Sequence, residues 1–211
     1  MSSAAGAGNL YPKYATRNPA ARGLVARFRG ALDELLDRAA PASILDVGCG
    51  EGVLTDAWRD RPGVDRVVGV DVEDAGLRAE WAGRARAGLE LRAIAPAPPL
   101  PFPDDSFDLV AAVEVLEHVA DPDALLAELA RVARTHVLVS TPREPLWRVL
   151  NLARGAHWRA LGNTPGHAHH FSRRALAARA SAFGRVLAVR TPLPWTVALV
   201  QVAPAASTSA P

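Results

Sequence analysis

Between Asn18 and Ala40 the apolar residues Leu24, Val25, Phe28, Leu32, Leu35 and Leu36 recur at the spacing of one buried helix face, and Pro41 ends the run. Beyond it, short β-branched and apolar runs alternate with helical segments. The pattern predicts strands at Ser43–Val47, Arg66–Val72, Leu89–Ile94, Phe107–Val115 and His136–Ser140. Helices are predicted at about Val53–Arg59, Ala75–Ala87 and Pro122–Arg134. The last begins on Asp121-Pro122, a side-chain acceptor followed by a proline suited to the first turn. Strands separated by helices of this length make βαβ units and a parallel sheet. The pattern then changes. Ser172 can cap a helix running to about Phe183, and the runs Arg185–Arg190 and Thr196–Val202 follow. Their link, with Pro192 and Pro194, is too short for a crossover helix and predicts an antiparallel hairpin at the sheet edge.

With 211 residues, 49% of them hydrophobic, the chain can bury one sizeable core, and no linker or repeat divides it. Residues 1–16 and 204–211 are rich in small residues without periodicity and are expected to be loosely ordered. No stretch is apolar enough to span a bilayer, and the first residues lack the basic-then-apolar layout of a secretory signal. Cys49, the single cysteine, excludes an internal disulfide framework and a cysteine-cluster zinc site. A soluble cytoplasmic protein is the simplest expectation.

Net charge is only +2, which does not point to a nucleic-acid partner. Of the 24 basic residues all but Lys13 are arginine, which together with the Ala, Gly and Pro content fits a GC-rich coding bias. One segment stands out locally. Arg143 to Arg179 holds seven arginines and four histidines against the single acid Glu144.

The chemistry concentrates in Ile44-Leu45-Asp46-Val47-Gly48-Cys49-Gly50-Glu51-Gly52, where a strand ends in an acid and opens a glycine-rich turn into a helix. Glycines let the backbone turn sharply and approach a ligand closely. The spacing G-x-G-x-G differs from the dinucleotide pattern G-x-G-x-x-G, and Glu51 stands where a phosphate would be repelled. The turn therefore suits a ligand without phosphates. About 20 residues on, Val67-Val68-Gly69-Val70-Asp71 ends in an acid able to accept from both ribose hydroxyls of an adenosine. The plainer alternative is a strand-end acid that caps the next helix; the glycine turn at the right spacing favours the ligand.

ILDVGCGEG, the acid of VVGVDV and the run LPFPDDSFDLVAAVEVLEHVADP resemble the class I S-adenosylmethionine-dependent methyltransferases, in particular the branch with ubiquinone-biosynthesis O-methyltransferases. The specific likeness covers about Pro41–Pro142. It implies an α/β, Rossmann-like fold with a seven-stranded, mostly parallel sheet and a C-terminal antiparallel hairpin, and S-adenosyl-L-methionine as cofactor. It also implies cofactor contacts from Asp46, Gly48, Cys49 and Gly50 to the methionine part, from Asp71 and Val72 to the ribose, and from Val113 and Glu114 near the sulfonium. Arg22, one residue out of register, lies near where relatives aim an arginine at the cofactor carboxylate. The sequence departs from the family at Ala93-Ile94-Ala95-Pro96-Ala97-Pro98, which lacks the usual adenine-binding acid; backbone and apolar packing are expected to hold the adenine instead.

The domain plan that follows is a helix over 17–40, a cofactor-binding core over 41–142, a lid over 143–171 and a closing helix and hairpin over 172–203. Candidate acid/base groups sit in two places. His118, in Glu114-Val115-Leu116-Glu117-His118, titrates in the useful range or else shapes the pocket wall. His169 and His170 belong to Gly166-His167-Ala168-His169-His170-Phe171, after a connection holding Trp147 and Trp158. The plainer reading of that segment is amphipathic helices with solvated arginines, Trp147 and Leu150 packing inward and His169 capping a turn. The seven arginines suggest a small-molecule substrate with acidic groups, methylated on oxygen, nitrogen or carbon without a metal. Two alternatives stand beside this expectation. Small-RNA 3′-terminal 2′-O-methyltransferases share an E-x-x-E-H with a later histidine, and there Glu114, Glu117, His118 and His169 or His170 would hold Mg²⁺ or Mn²⁺. The other is a non-catalytic cofactor-binding or partner protein.

Overall fold

The computed structural model describes residues 17–84, 86–96, 98–153, 164 and 168–202. The expected loose ends, His167, Trp158 and the middle of the lid fall outside these residues.

Helix α1 (Pro19–Ala39) starts where the sequence asks: the Asn18 side chain accepts from the amides of Ala20 and Ala21, and Pro19 opens the first turn. It ends on Ala40 in the left-handed region. Then come β1 (Ser43–Val47), α2 (Val53–Arg59), β2 (Arg66–Val72), α3 (Ala75–Ala82), β3 (Leu89–Ile94), β4 (Phe107–Val113), α4 (Pro122–Val132), β5 (Ala133–Pro142), α5 (Leu146–Ala153), α6 (Arg173–Ser181), β6 (Gly184–Arg190) and β7 (Trp195–Val202). The strands form one seven-stranded sheet in the order β3-β2-β1-β4-β5-β7-β6. β1 to β5 pair in parallel, and β7 runs antiparallel between β5 and β6. The expected α/β, mostly parallel sheet with its closing hairpin is the observed one.

Each face of the sheet carries its own core. On one side Phe28, Leu32, Leu35 and Leu36 of α1 and Leu54 and Trp58 of α2 pack on Ile44, Val67, Leu109 and Leu138. On the other, Leu125, Leu126 and Leu129 of α4 and Leu176 of α6 cover Leu45, Val68, Val110 and Val139. Burial on both faces explains why the central strands read as unbroken apolar runs.

The larger departures from expectation each have a local reason. β4 stops at Val113, because Glu114 takes a φ of 59° and turns the chain out of the sheet. α3 stops at Ala82, where Gly83 caps it and the chain turns back toward β3. α4 gives way at Val132, since Ala133 is extended and already pairs with Phe107. β5 therefore runs from Ala133 to Pro142, beyond both ends of the predicted strand.

Candidate active site

The parallel strands all point their carboxyl ends to one edge, where open α/β sheets bind ligands. There the glycine turn leaves β1. Gly48, Gly50 and Gly52 have φ of 77°, 53° and 75°, a conformation that side chains resist. A Cβ on Gly48 would also run into Cγ2 of Val115, which the left-handed Glu114 folds over the turn. The amides of Gly48 and Cys49 donate to the Val70 carbonyl, at 2.7 and 3.1 Å.

Asp71 resolves the alternative left by its position. The cap of α3 is Asp74, whose Oδ1 accepts from Gly76 and Leu77. The Asp71 carboxylate instead reaches across to the turn: Oδ2 accepts from the Gly50 amide at 2.7 Å and Oδ1 from the Val72 amide at 2.7 Å. Each oxygen has a lone pair left for a further donor. Burial holds the Asp71 pKa above its ordinary value, opposed by those two amides and reinforced by Glu51 and Asp74.

Asp46 lies beneath the turn, 2% exposed, with Oδ2 accepting from the Thr55 hydroxyl at 2.6 Å. Burial pushes its pKa up to about 7; the Thr55 hydroxyl works against this and Asp71 adds to it. Cys49 packs against Gly69, where a Cβ would lie 3.0 Å from Sγ, and burial raises its thiol pKa. Cys49 is thus a neutral filler whose backbone belongs to the site, not a nucleophile.

Sequence reasoning missed the residues that stitch the turn in place. Trp81 Nε1 donates to the Gly50 carbonyl at 2.8 Å, and Arg84 Nε to the Glu51 carbonyl at 2.8 Å. The Arg84 guanidinium also meets Asp56 at 3.4 Å and Glu80 at 3.9 Å, so its charge is already matched. With Glu51 and Asp71 beside it, the turn favours a cationic ligand over a phosphate.

At the end of β4, Val113 is buried, and Glu114 Oε1 accepts from Trp195 Nε1 at 2.6 Å. Trp195 stacks on Phe28, with centroids 4.6 Å apart, and lies 5.9 Å from Trp147. Helix α1 and the start of α5 thus meet over this end of the sheet. The inward packing expected of Trp147 is what the structure has, and its Nε1 donates to Thr164 Oγ1 at 2.9 Å.

The second histidine segment docks on the loop after β4. The amides of Ala168 and His169 donate to the Glu117 carbonyl, at 2.8 and 3.2 Å, and His169 Nε2 lies 3.3 Å from the Ala120 carbonyl. His170 Nδ1 lies 3.6 Å from Glu144 Oε1. His118, exposed, donates its amide to the Val115 carbonyl. The three candidate histidines therefore share one edge but face different partners. Among the described residues no group of three or more His, Cys, Asp or Glu side chains converges as metal ligands. Arg22 is exposed in the first turns of α1, and no side-chain bond ties it to the glycine turn among the described residues.

A methyltransferase-domain family model matches residues 20–187. Methyltransferase GfsG of Streptomyces halstedii is 39% identical over 111 residues, 51% of this chain and 40% of that protein. A ubiquinone biosynthesis O-methyltransferase of Nitrosomonas europaea is 27% identical over 164 residues, 68% of this chain and 67% of its own. The chain spans less than half the length of several curated relatives, at 40%, 44% and 36% of theirs. Among solved structures, the PH0226 protein of Pyrococcus horikoshii matches with a TM-score of 0.68 at 17% identity, covering 92% of this chain and 96% of that one. With the family model spanning β1 to β5 and the glycine turn, the chain belongs to the methyltransferase-domain family and has the class I S-adenosylmethionine-dependent methyltransferase fold.

Proposed function

We propose that the protein transfers a methyl group from S-adenosyl-L-methionine to an oxygen, nitrogen or carbon of a small metabolite. The observation that carries this is the Asp71 carboxylate, locked to the glycine turn through the Gly50 amide with acceptor capacity to spare. The cradle fits the cofactor: a vicinal diol can donate to Asp71, and the turn's close backbone and acidic surroundings suit a ligand bearing an ammonium and a sulfonium. In this reading Gly48, Cys49 and Gly50 hold the methionine part through their backbone, Asp71 and Val72 hold the ribose, and Val113 and Glu114 border the reacting end. Asp46 supports the turn from below, and Arg22 is assigned to the cofactor carboxylate.

When bound, the cofactor supplies an electrophilic methyl group. The chain's part is to align the substrate and to accept a proton where the nucleophile must lose one. His118 and His170 are the proton acceptors we assign, while His169 Nε2 lies against the Ala120 carbonyl. Arg143 and Arg148, on the segment that closes over the edge, favour a substrate with an acidic group. A single free cysteine accords with a cytoplasmic setting.

Calorimetric titration of S-adenosylhomocysteine into wild type and Asp71→Ala tests the reading, with ATP and NAD as controls. Selective binding that weakens at least tenfold in the variant is expected, a loss of about 1.4 kcal/mol or more. Absence of binding to wild type would overturn the proposal. Turnover of a hit from a metabolite screen should survive EDTA; loss on chelation and return with Mn²⁺ would refute the metal-free mechanism.

A further inference from the structure

β5 ends beside a buried acid that the cofactor reading does not use. The Glu144 side chain is only 9% exposed, and both carboxylate oxygens are closed to solvent without a hydrogen-bond partner among the described residues. A carboxylate held this way is costly, and such groups persist where a cationic or donor partner is supplied. The ion-pair partner among the described residues is His170, with Nδ1 3.6 Å from Oε1.

Backbone bonds fix the two residues relative to one another. The Glu144 amide donates to the Phe171 carbonyl at 3.0 Å, and Arg143 and Phe171 form a parallel bridge. The Arg143 amide donates to the Pro194 carbonyl at 2.8 Å, and the Phe171 ring is 3% exposed. Two turns of the chain are thus anchored on each side of the pair. The His170 side chain is itself 38% exposed, and Nε2 is the ring nitrogen not turned toward Glu144. Along the chain the adjoining ionisable residues are Arg143, His169 and Arg173, with Glu117 and His118 on the loop that the histidine segment docks on. His169 is committed to Ala120.

We infer that Glu144 is a positioning residue that keeps the proton of neutral His170 on Nδ1, leaving the Nε2 lone pair to deprotonate the substrate. The inference rests on the methyl-transfer reading and narrows its substrate to an oxygen acid such as a phenol or enol. The O–H bond breaks, both bonding electrons stay on oxygen, the proton forms an N–H bond at Nε2, and the ring becomes an imidazolium. A separation of 3.6 Å is longer than a hydrogen bond. Contacts of this kind are commonly loose before substrate arrives and tighten in the complex.

The test is long-range ¹H–¹⁵N correlation of the histidine rings in the full-length protein with S-adenosylhomocysteine, His170 being assigned from His170→Gln. Wild type is expected to show the Nδ1–H tautomer at neutral pH. Glu144→Leu, apolar and suited to a buried site, should lose it and revert to the Nε2–H form that free histidine prefers. Nε2–H in wild type, or a tautomer indifferent to Glu144→Leu, would overturn the inference. Should the variant fail to fold, the wild-type tautomer decides alone. S-adenosylhomocysteine binding separates the two ideas. An unchanged tautomer with binding intact sinks only the pair, whereas no binding in either protein sinks the methyl-transfer reading.

Discussion

Replacing Asp46 by Asn probes the electrostatics under the glycine turn. The carboxyl is 2% exposed, and burial lifts its pKa from 3.8 to about 7. The folded protein therefore holds this proton more tightly than the unfolded chain does. The resulting stability is fully present below about pH 4 and is lost as pH rises through about 7. Between those limits the loss amounts to roughly 4 kcal/mol, a large part of a domain's stability. Asparagine cannot ionise, and its carbonyl can still accept from the Thr55 hydroxyl. Asp46→Asn should match wild type near pH 4 and exceed it by roughly 4 kcal/mol at pH 8. Asp71, raised by its own burial, tilts both proteins in the same direction, while Asp108 and Glu128, whose pKa values are lowered, tilt both the other way. The difference between variant and wild type removes the shared contributions of Asp108 and Glu128 and retains the coupling between Asp46 and Asp71. Urea unfolding of the ligand-free proteins at several pH values gives it directly, with unchanged m-values as the check on compactness. A difference that stays constant with pH, or a variant less stable than wild type at pH 8, would refute the reasoning.

Three further outcomes follow from the site. Gly48→Ala combines the left-handed penalty of roughly 1–2 kcal/mol with overlap against Val115, so both stability and S-adenosylhomocysteine affinity should fall; adding Val115→Ala should recover the overlap part alone, as thermal melts would show. Trp195→Phe removes the donor that Glu114 Oε1 accepts from, and should lower unfolding free energy by roughly 2 kcal/mol; a loss under a few tenths would mean this bond is not made in solution. Trp81→Phe leaves the buried Gly50 carbonyl without its indole donor and should cost about 1–3 kcal/mol while weakening cofactor binding; calorimetry showing unchanged affinity would argue that the turn holds its shape without Trp81.

The cofactor side of the protein was legible in the sequence because its signals are local. Ser43–Val47, Arg66–Val72, Leu89–Ile94 and Val53–Arg59 fall where the apolar pattern put them, since strands and helix alike bury whole faces. Asp71 was legible from its distance to the glycines. The extra length of β5 was not: Ala133 and Arg134 are poor strand signals, and they are extended because Ala133 already pairs with Phe107. The overlong reading of α3 followed its Ala- and Arg-rich composition past Gly83, where the chain turns back. Trp81, Arg84 and Trp195 escaped notice because they reach the site across 31, 33 and 81 residues of sequence. No periodicity encodes such meetings. Glu144 had one visible sign, its place as the lone acid in an arginine-rich segment.

The stitching of the turn has a consequence for how such a protein can change. Among the described residues the side-chain bonds that hold the glycine turn, from Asp46–Thr55 to Arg84–Glu51, lie within residues 46–84, a single βαβ neighbourhood. The groups across the opening come from five separated stretches: α1, the loop after β4, the end of β5, the histidine segment and the start of β7. Mutations in those stretches leave the bonds within residues 46–84 in place, so selection can rebuild the mouth of the site piece by piece while that half is transmitted as a unit. A graft of residues 46–84 should carry those bonds with it, and the rest of the fold is free to drift toward new molecules.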